Sequence, residues 1–346
     1  MTVKELIARS KAAQAAFAFA TQEQADAAAR AICKVVYDNA EKLGPMAAEE
    51  SRMGSEQDKI AKCRNKSALI WESLKDKKSC DIINRIEERR MVEVAKPVGV
   101  VASIIPSTNP VVTPMSNGAF ALKCRNSVIF APHPRAVKCT KLLVEMFRAE
   151  LKKLGLPEDL VLGLEEVSND LTSELMSAAD MVVATGGMGM VKAAYSSGKP
   201  AIGVGQGNVQ CIIDDDVDLE KVVPMIVAGR KFDNGIICSG EQTAITPAAM
   251  YDDMVKTFQK NGAYYVEKPE EIDAVRNVIF PGGKMNKDAV GQSAQHIAKM
   301  AGLTVPADTV VLLVKVEKAG AGEPFSKEKM CPCIAAYRYH TWEEAV

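Results

Sequence analysis

Cys238 stands in the run Lys231-Phe-Asp-Asn-Gly-Ile-Ile-Cys238-Ser-Gly-Glu-Gln242, among glycine and small polar residues and just after an Asn-Gly turn. That setting suits a nucleophilic thiol, which needs close backbone approach, neighbours too small to shield sulfur, and donors that favour thiolate. Spacing alone leaves a second reading open, a buried cysteine acting as a small hydrophobe. Three other segments carry groups that such a thiol would need. Ile105-Pro-Ser-Thr-Asn109-Pro110 offers an amide donor on a loop fixed by two prolines, a group able to stabilise a developing oxyanion. Phe130-Ala-Pro-His133-Pro-Arg135-Ala136 and Ala184-Thr185-Gly186-Gly187-Met-Gly-Met190 each follow an apolar run, and the glycines of the second let backbone N–H groups approach a phosphate. The Cys331-Pro332-Cys333 pair has neither CxxC spacing nor a neighbouring histidine, so no metal site is expected there or elsewhere. His133 between prolines could simply cap a turn and Arg135 could be a surface charge, while His296 and His340 lack evident partners and read as structural.

The apolar runs say what must position these loops. Val98–Ile105, Ser127–Ala131, Leu160–Leu162 and Met181–Ala184 are short and continuous, as parallel strands covered on both faces should be. Between them Lys138–Leu154 places Leu142, Leu143, Met146 and Leu151 on one helical side. This βαβ alternation predicts a doubly wound α/β sheet whose carboxyl edge holds a nucleotide. Thr21 and Gln24 form a capping box, and helices are expected through the first sixty residues, with a stop at Leu43-Gly44-Pro45. Ile82–Val94 alternates and predicts a protruding hairpin, preceded by a solvated turn at Lys75–Lys78. A second helix-and-strand section follows Asp214–Asp216, with a helix around Met250, Met254 and Phe258 and a strand at Thr309–Val314.

The bulk properties exclude several classes of partner. The chain has 346 residues, which at ~150 per domain predicts two domains. A net charge of -1 supplies neither a basic field for nucleic acid nor a polybasic membrane patch. No apolar run reaches the ~18 residues of a membrane span, and the N-terminus lacks the pattern of a signal peptide. Nine cysteines without regular spacing fit a reducing, cytoplasmic setting.

With these segments in view, the sequence resembles the coenzyme-A-acylating aldehyde dehydrogenases, close to the aldehyde-oxidising half of bifunctional aldehyde/alcohol dehydrogenases. The resemblance rests on PSTNP at 106–110, APHPRA at 131–136, ATGG at 184–187, GVGQGN at 203–208, FDNGIICSGEQ at 232–242, VGQSA at 290–294 and EKMCP at 328–332. It runs along essentially the whole chain. It implies the α/β aldehyde dehydrogenase fold, with N-terminal helices, hairpin and Rossmann-like cofactor domain over 1–229 and a catalytic thiol domain over 230–346. Members of the family are longer, so the resemblance also implies that the C-terminal part of the second domain is missing.

Carried over by position, Cys238 would add to the aldehyde, and Asn109 with the Cys238 backbone N–H would hold the hemithioacetal oxyanion. Thr185, Gly186 and Gly187 would cradle the pyrophosphate of NAD, with NADP not excluded. Pro106, Ser107, Thr108 and Gly205 would join the cofactor site, His133 and Arg135 would lie near the adenosine, and Glu328 would hold the nicotinamide ribose. Hydrolytic relatives clear their thioester with a glutamate in the segment aligned with Gly203–Gly207, where this chain has no carboxylate. A second thiol, coenzyme A, is then the expected acyl acceptor, in a reaction of aldehyde, coenzyme A and NAD giving acyl-coenzyme A and NADH. Acetaldehyde is the default substrate. Arg230-Lys231 replaces a Lys-Thr pair common in close relatives, a charge that would suit an anionic aldehyde such as sulfoacetaldehyde unless the pair is merely exposed. A homo-oligomer is expected. A hydrolytic enzyme and a catalytically idle structural subunit are the alternatives.

Overall fold

The computed structural model describes residues 1–346. Contacts divide them into two compact units, Met1–Ser51 with Glu56–Gly205 and Arg52–Ser55 with Gln206–Val346.

The first unit opens with four helices, α1 (Val3–Phe17), α2 (Gln22–Asp38), α3 (Ala40–Ser51) and α4 (Glu56–Leu74). The expected capping box is present: Thr21 Oγ1 accepts from Gln24 N and Gln24 Oε1 accepts from Thr21 N. The expected stop at Gly44-Pro45 is not. The break falls at Asn39, whose side-chain amide donates to Val35 O, and Pro45 lies inside α3. Gly44 is a crossing point instead, since a Cβ there would meet the Ile60 backbone of α4 at 2.7 Å. Next comes an antiparallel hairpin, β1 (Asp81–Ile86) with β2 (Met91–Ala95), at the expected place.

The five strands that follow are β3 (Val100–Ile105), β4 (Ser127–Pro132), β5 (Val161–Gly163), β6 (Met181–Thr185) and β7 (Ala201–Val204), joined by α5 (Val112–Lys123), α6 (Val137–Lys153), α7 (Asn169–Ala178) and α8 (Met188–Tyr195). All pair in parallel in the order β5-β4-β3-β6-β7. Alternate residues enter opposite cores: Val101 and Ile105 pack with α2, α5 and α6, while Val100, Ala102 and Ile104 pack with α1 and α7. Both faces are covered, as the continuous apolar runs require. The strand order reverses direction at β3 and β6, which places a switch point between their carboxyl ends.

The second unit holds α9 (Leu219–Lys231), β8 (Thr243–Pro247), α10 (Tyr251–Lys260), β9 (Ala263–Val266), α11 (Pro269–Ile279), α12 (Ala294–Met300), β10 (Val311–Lys315) and β11 (Cys333–Tyr339). Its sheet is parallel, in the order β8-β11-β10-β9. The division at Gly205 falls earlier than the boundary expected at 229. The cause is α9, whose Val223, Ile226 and Val227 share a core with Met254, Phe258, Leu313 and Ile334. The short run Arg52–Ser55 also belongs here, with Gly54 N donating to Gly291 O at 2.9 Å.

Candidate active site

In the first unit the site loops sit where the sheet delivers them. Pairing of Ile104 with Ala184 and of Ile105 with Pro132 aligns the ends of β6, β3 and β4, so 106–109, 133–136 and 185–187 all leave one carboxyl edge. Gly186 N donates to Val204 O at 3.1 Å, which ties the glycine turn to the end of β7 beside Gly205. Gly187 is the N-cap of α8, and added side-chain atoms at Gly187 or Gly189 would meet nothing within 4 Å. Open backbone at a helix N-terminus and a sheet switch point fits a dinucleotide pyrophosphate. Pro106 is buried, while Ser107, Thr108 and Asn109 are half-buried on the loop above it. His133 Nδ1 accepts from Arg135 N at 3.0 Å, so this histidine does cap its own turn.

In the second unit the thiol sits on a loop between α9 and β8. Asp233, Asn234 and Gly235 all take left-handed φ, 50°, 50° and 70°, which reverses the chain after α9. Asn234 Nδ2 anchors that turn on Gly291 O at 2.9 Å, and Gly240 N closes a second turn onto Ile237 O at 3.1 Å. Cys238 between them is exposed. Cys238 is therefore not a buried hydrophobe, because a core role would bury the sulfur. Gly207 lies against the thiol residue: a Cβ there would stand 2.3 Å from Cys238 O and 3.3 Å from Cys238 Cβ. Residues after Gly207 run alongside the loop, with Gln242 N donating to Val209 O at 2.9 Å.

Two cations are buried beneath this loop. Arg230 has no exposed surface and gives its guanidinium to backbone carbonyls on three segments. Nε donates to Cys331 O at 2.9 Å, Nη2 to Gly235 O at 2.9 Å and also to Cys331 O, and Nη1 to Glu241 O at 3.4 Å. It therefore links both flanks of the thiol loop to the entry of β11. Burial pulls its ionisation below the usual guanidinium range. Lys329, equally buried, donates through Nζ to Gln242 O at 2.9 Å and to Lys327 O at 3.2 Å, and burial draws its pKa down to about 8. Its neighbour Glu328 is 6% exposed, and burial raises that carboxyl above the usual range despite the Gly207 N–H that bonds to it. Cys331 and Cys333 are buried, with burial pushing their thiols up to about 12 and about 11, so they pack as core groups.

The folded chain thus brings 106–109, 133–135, 185–187 and 205 to one sheet edge in the first unit, and Cys238, Gly207 and Glu328 together in the second. Arg230 is not half of an exposed pair. It is enclosed by carbonyls, and only Lys231 is exposed. Sequence reasoning missed the Arg230 and Lys329 clamps because their partners are main-chain oxygens up to 101 residues away. Glu328 also places a carboxylate beside Gly207, the last residue of a segment that itself has none.

Residues 1–274 match the family model described as "Aldehyde dehydrogenase family". The succinate-semialdehyde dehydrogenase (acetylating) of Clostridium kluyveri is 50% identical over all of this chain and 76% of its own length. The sulfoacetaldehyde dehydrogenase (acylating) of Bilophila wadsworthia is 39% identical over 99% of this chain and 75% of its own. Among solved structures, an acetylating aldehyde dehydrogenase from Geobacillus thermoglucosidasius superposes with a TM-score of 0.95 at 37% identity, covering 99% of this chain and 76% of that one. A Rhodopseudomonas palustris propionaldehyde dehydrogenase with bound propionyl-CoA gives 0.88 at 32% identity, with coverage of 99% and 76%. The chain belongs to the aldehyde dehydrogenase family. Within that family its relatives are acylating enzymes, oxidoreductases acting on aldehydes, and the expected fold is the one observed.

Proposed function

We propose that the protein oxidises a short aldehyde to its coenzyme A thioester with NAD or NADP. The exposed Cys238 thiol on its clamped loop carries this reading. Thiolate adds to the aldehyde carbon, and the Asn109 amide with the Cys238 N–H takes the oxyanion. The 185–187 turn would hold the pyrophosphate, with Ser107, Thr108 and Gly205 beside it and Glu328 on the ribose; when bound, the cofactor would supply the acceptor for the hydride that leaves the former aldehyde carbon. The acyl group then rests on Cys238 as a thioester. Coenzyme A thiol attacks that carbonyl, the C–S bond to Cys238 breaks, and the enzyme thiol is restored. Segment 203–207 has no carboxylate to activate water, and the R. palustris structure contains propionyl-CoA; both favour thiolysis over hydrolysis.

For the aldehyde, the two relatives named for succinate semialdehyde and sulfoacetaldehyde favour a short aldehyde carrying an acid group over acetaldehyde. Arg230 lends no support to that preference, since its guanidinium is spent on carbonyls. Incubation with aldehyde and NAD, with and without coenzyme A, tests the acceptor. Without it a single-turnover burst of NADH is expected, with mass spectrometry locating the acyl adduct on the Cys238 peptide. Sustained release of free acid without coenzyme A would replace this reading with the hydrolytic one, and Glu328 would then be the first base to examine. Comparing kcat/KM for succinic semialdehyde, sulfoacetaldehyde and acetaldehyde ranks the substrates.

A further inference from the structure

The face of α4 turned into the first unit is unusual for a packed helix: Lys59 is 3% exposed, Lys62 5% and Cys63 2%. A buried helical stripe is ordinarily apolar, and burying an ammonium is costly unless it meets a polar partner. Lys62 meets one, its Nζ lying 2.9 Å from Asn109 Oδ1. The cleft shared by Lys59, Lys62, Thr108 and Asn109 has about 10 Å³ of free space, so no hydration shell separates ammonium from amide. An ammonium only donates, so this contact fixes which end of the carboxamide is oxygen. The amide NH2 must then point away from Lys62, on the side where Nδ2 is 3.5 Å from Thr108 Oγ1.

We propose that Lys62 is a positioning residue for the oxyanion step. Its ammonium locks the Asn109 carboxamide with Nδ2 outward and, by drawing electron density toward Oδ1, strengthens the N–H groups as donors. The inference rests on Asn109 being the oxyanion donor. Its effect grows as negative charge develops on the substrate oxygen, so it belongs to the rate of acylation and not to nucleotide binding.

A double-mutant cycle on the full chain tests this, using the NADH burst rate, nucleotide affinity, and protection of Cys238 from iodoacetamide by aldehyde. Asn109→Ala should slow the burst by roughly 100- to 1000-fold. Lys62→Met should slow it by about 10- to 100-fold and leave nucleotide affinity unchanged, a share of the same effect. Lys62→Arg, which keeps a charged donor, should recover part of the loss. The decisive member is the double variant, which should be no slower than Asn109→Ala alone, because the effect of Lys62 on the oxyanion step is exerted through that amide. Multiplying losses would overturn the proposal, as would an unchanged rate in Lys62→Met. An unchanged burst in Asn109→Ala would instead refute the oxyanion assignment itself. If Lys62→Met melts early, Lys62→Gln replaces it in the cycle as a neutral donor. If the burst is too slow to time, aldehyde protection of Cys238 reads the same cycle, and full protection in Lys62→Met counts against the proposal.

Discussion

The two parallel sheets of this protein present chemistry in opposite ways. The five-stranded sheet offers main-chain N–H groups and glycines at its switch point, around Gly186 and Gly187, with the loops held by strand register. The four-stranded sheet holds the loop that carries Cys238 with charge: Arg230 and Lys329, both fully buried, reach carbonyls on either side of Cys238. A phosphate cradle needs only backbone and space, so a strand end and a small residue suffice. A nucleophile needs its sulfur exposed while the loop beneath stays fixed, and a guanidinium fork with several bonds provides that rigidity without covering the thiol.

The largest effect that tests the contrast comes from the thiol. Cys238→Ala should abolish aldehyde-dependent NADH formation, at least 1000-fold, and leave NAD affinity in the first unit's loops nearly unchanged. The remaining cysteines should tolerate Ala with far smaller losses, Cys331 and Cys333 costing stability and not chemistry. Full activity in Cys238→Ala would remove the assignment; a lost nucleotide affinity would show that the cofactor half depends on the thiol loop.

The same contrast explains what could be read from sequence. Among the first unit's parallel strands, β7 with its half-exposed Ala201-Ile-Gly-Val204 gives no such signal, but β3 to β6 were legible because Val, Ile and Leu runs of three to eight residues mark two-sided burial, and their loops because turn glycines and prolines have local meaning. β11 was not, since Cys333-Ile-Ala-Ala-Tyr-Arg-Tyr339 is short of β-branched residues and becomes a strand through its neighbours β8 and β10. Pro45 misled for a related reason, because the crossing of Gly44 on Ile60 outweighs the local preference. Arg230 looked like a surface charge or an anion receptor. Nothing in its neighbours announces that Cys331, far along the chain, supplies the carbonyl it binds.

A middle-sized effect should follow from breaking that clamp. Arg230→Lys keeps the charge but loses the fork that reaches Cys331, Gly235 and Glu241 together, so kcat should fall by about 10-fold or more while the fold survives. Arg230→Met takes its donors from the Gly235 and Glu241 carbonyls, at about 1–3 kcal/mol each, leaves Cys331 O only the Cys333 N–H, and should lower Tm by well over the shift seen for surface variants. Rescue of Arg230→Ala by added guanidinium, but not by methylammonium, would identify the fork itself as the requirement. Equal kcat in Arg230→Lys and the parent would reduce the residue to a buried charge with no hold on the thiol.

The smallest effect concerns Lys329, and its sign follows from burial. Its pKa in the folded chain is about 8, below the usual value near 10.4, because the buried site penalises the charged form. Below pH 8 the folded and unfolded chains both carry the proton and the penalty is borne in full. Between about 8 and 10.4 the unfolded chain binds more protons than the folded one, so rising pH adds stability through this group, on the order of 3 kcal/mol at most. Lys329→Met removes the titration. The difference in unfolding free energy between parent and Lys329→Met, measured by urea titration from pH 7 to 10, should therefore move in the parent's favour as pH rises. A flat difference would mean that the bonds to Gln242 and Lys327 hold the ammonium as well as water does, and the second unit's buried charge would then cost the fold less than its seclusion implies.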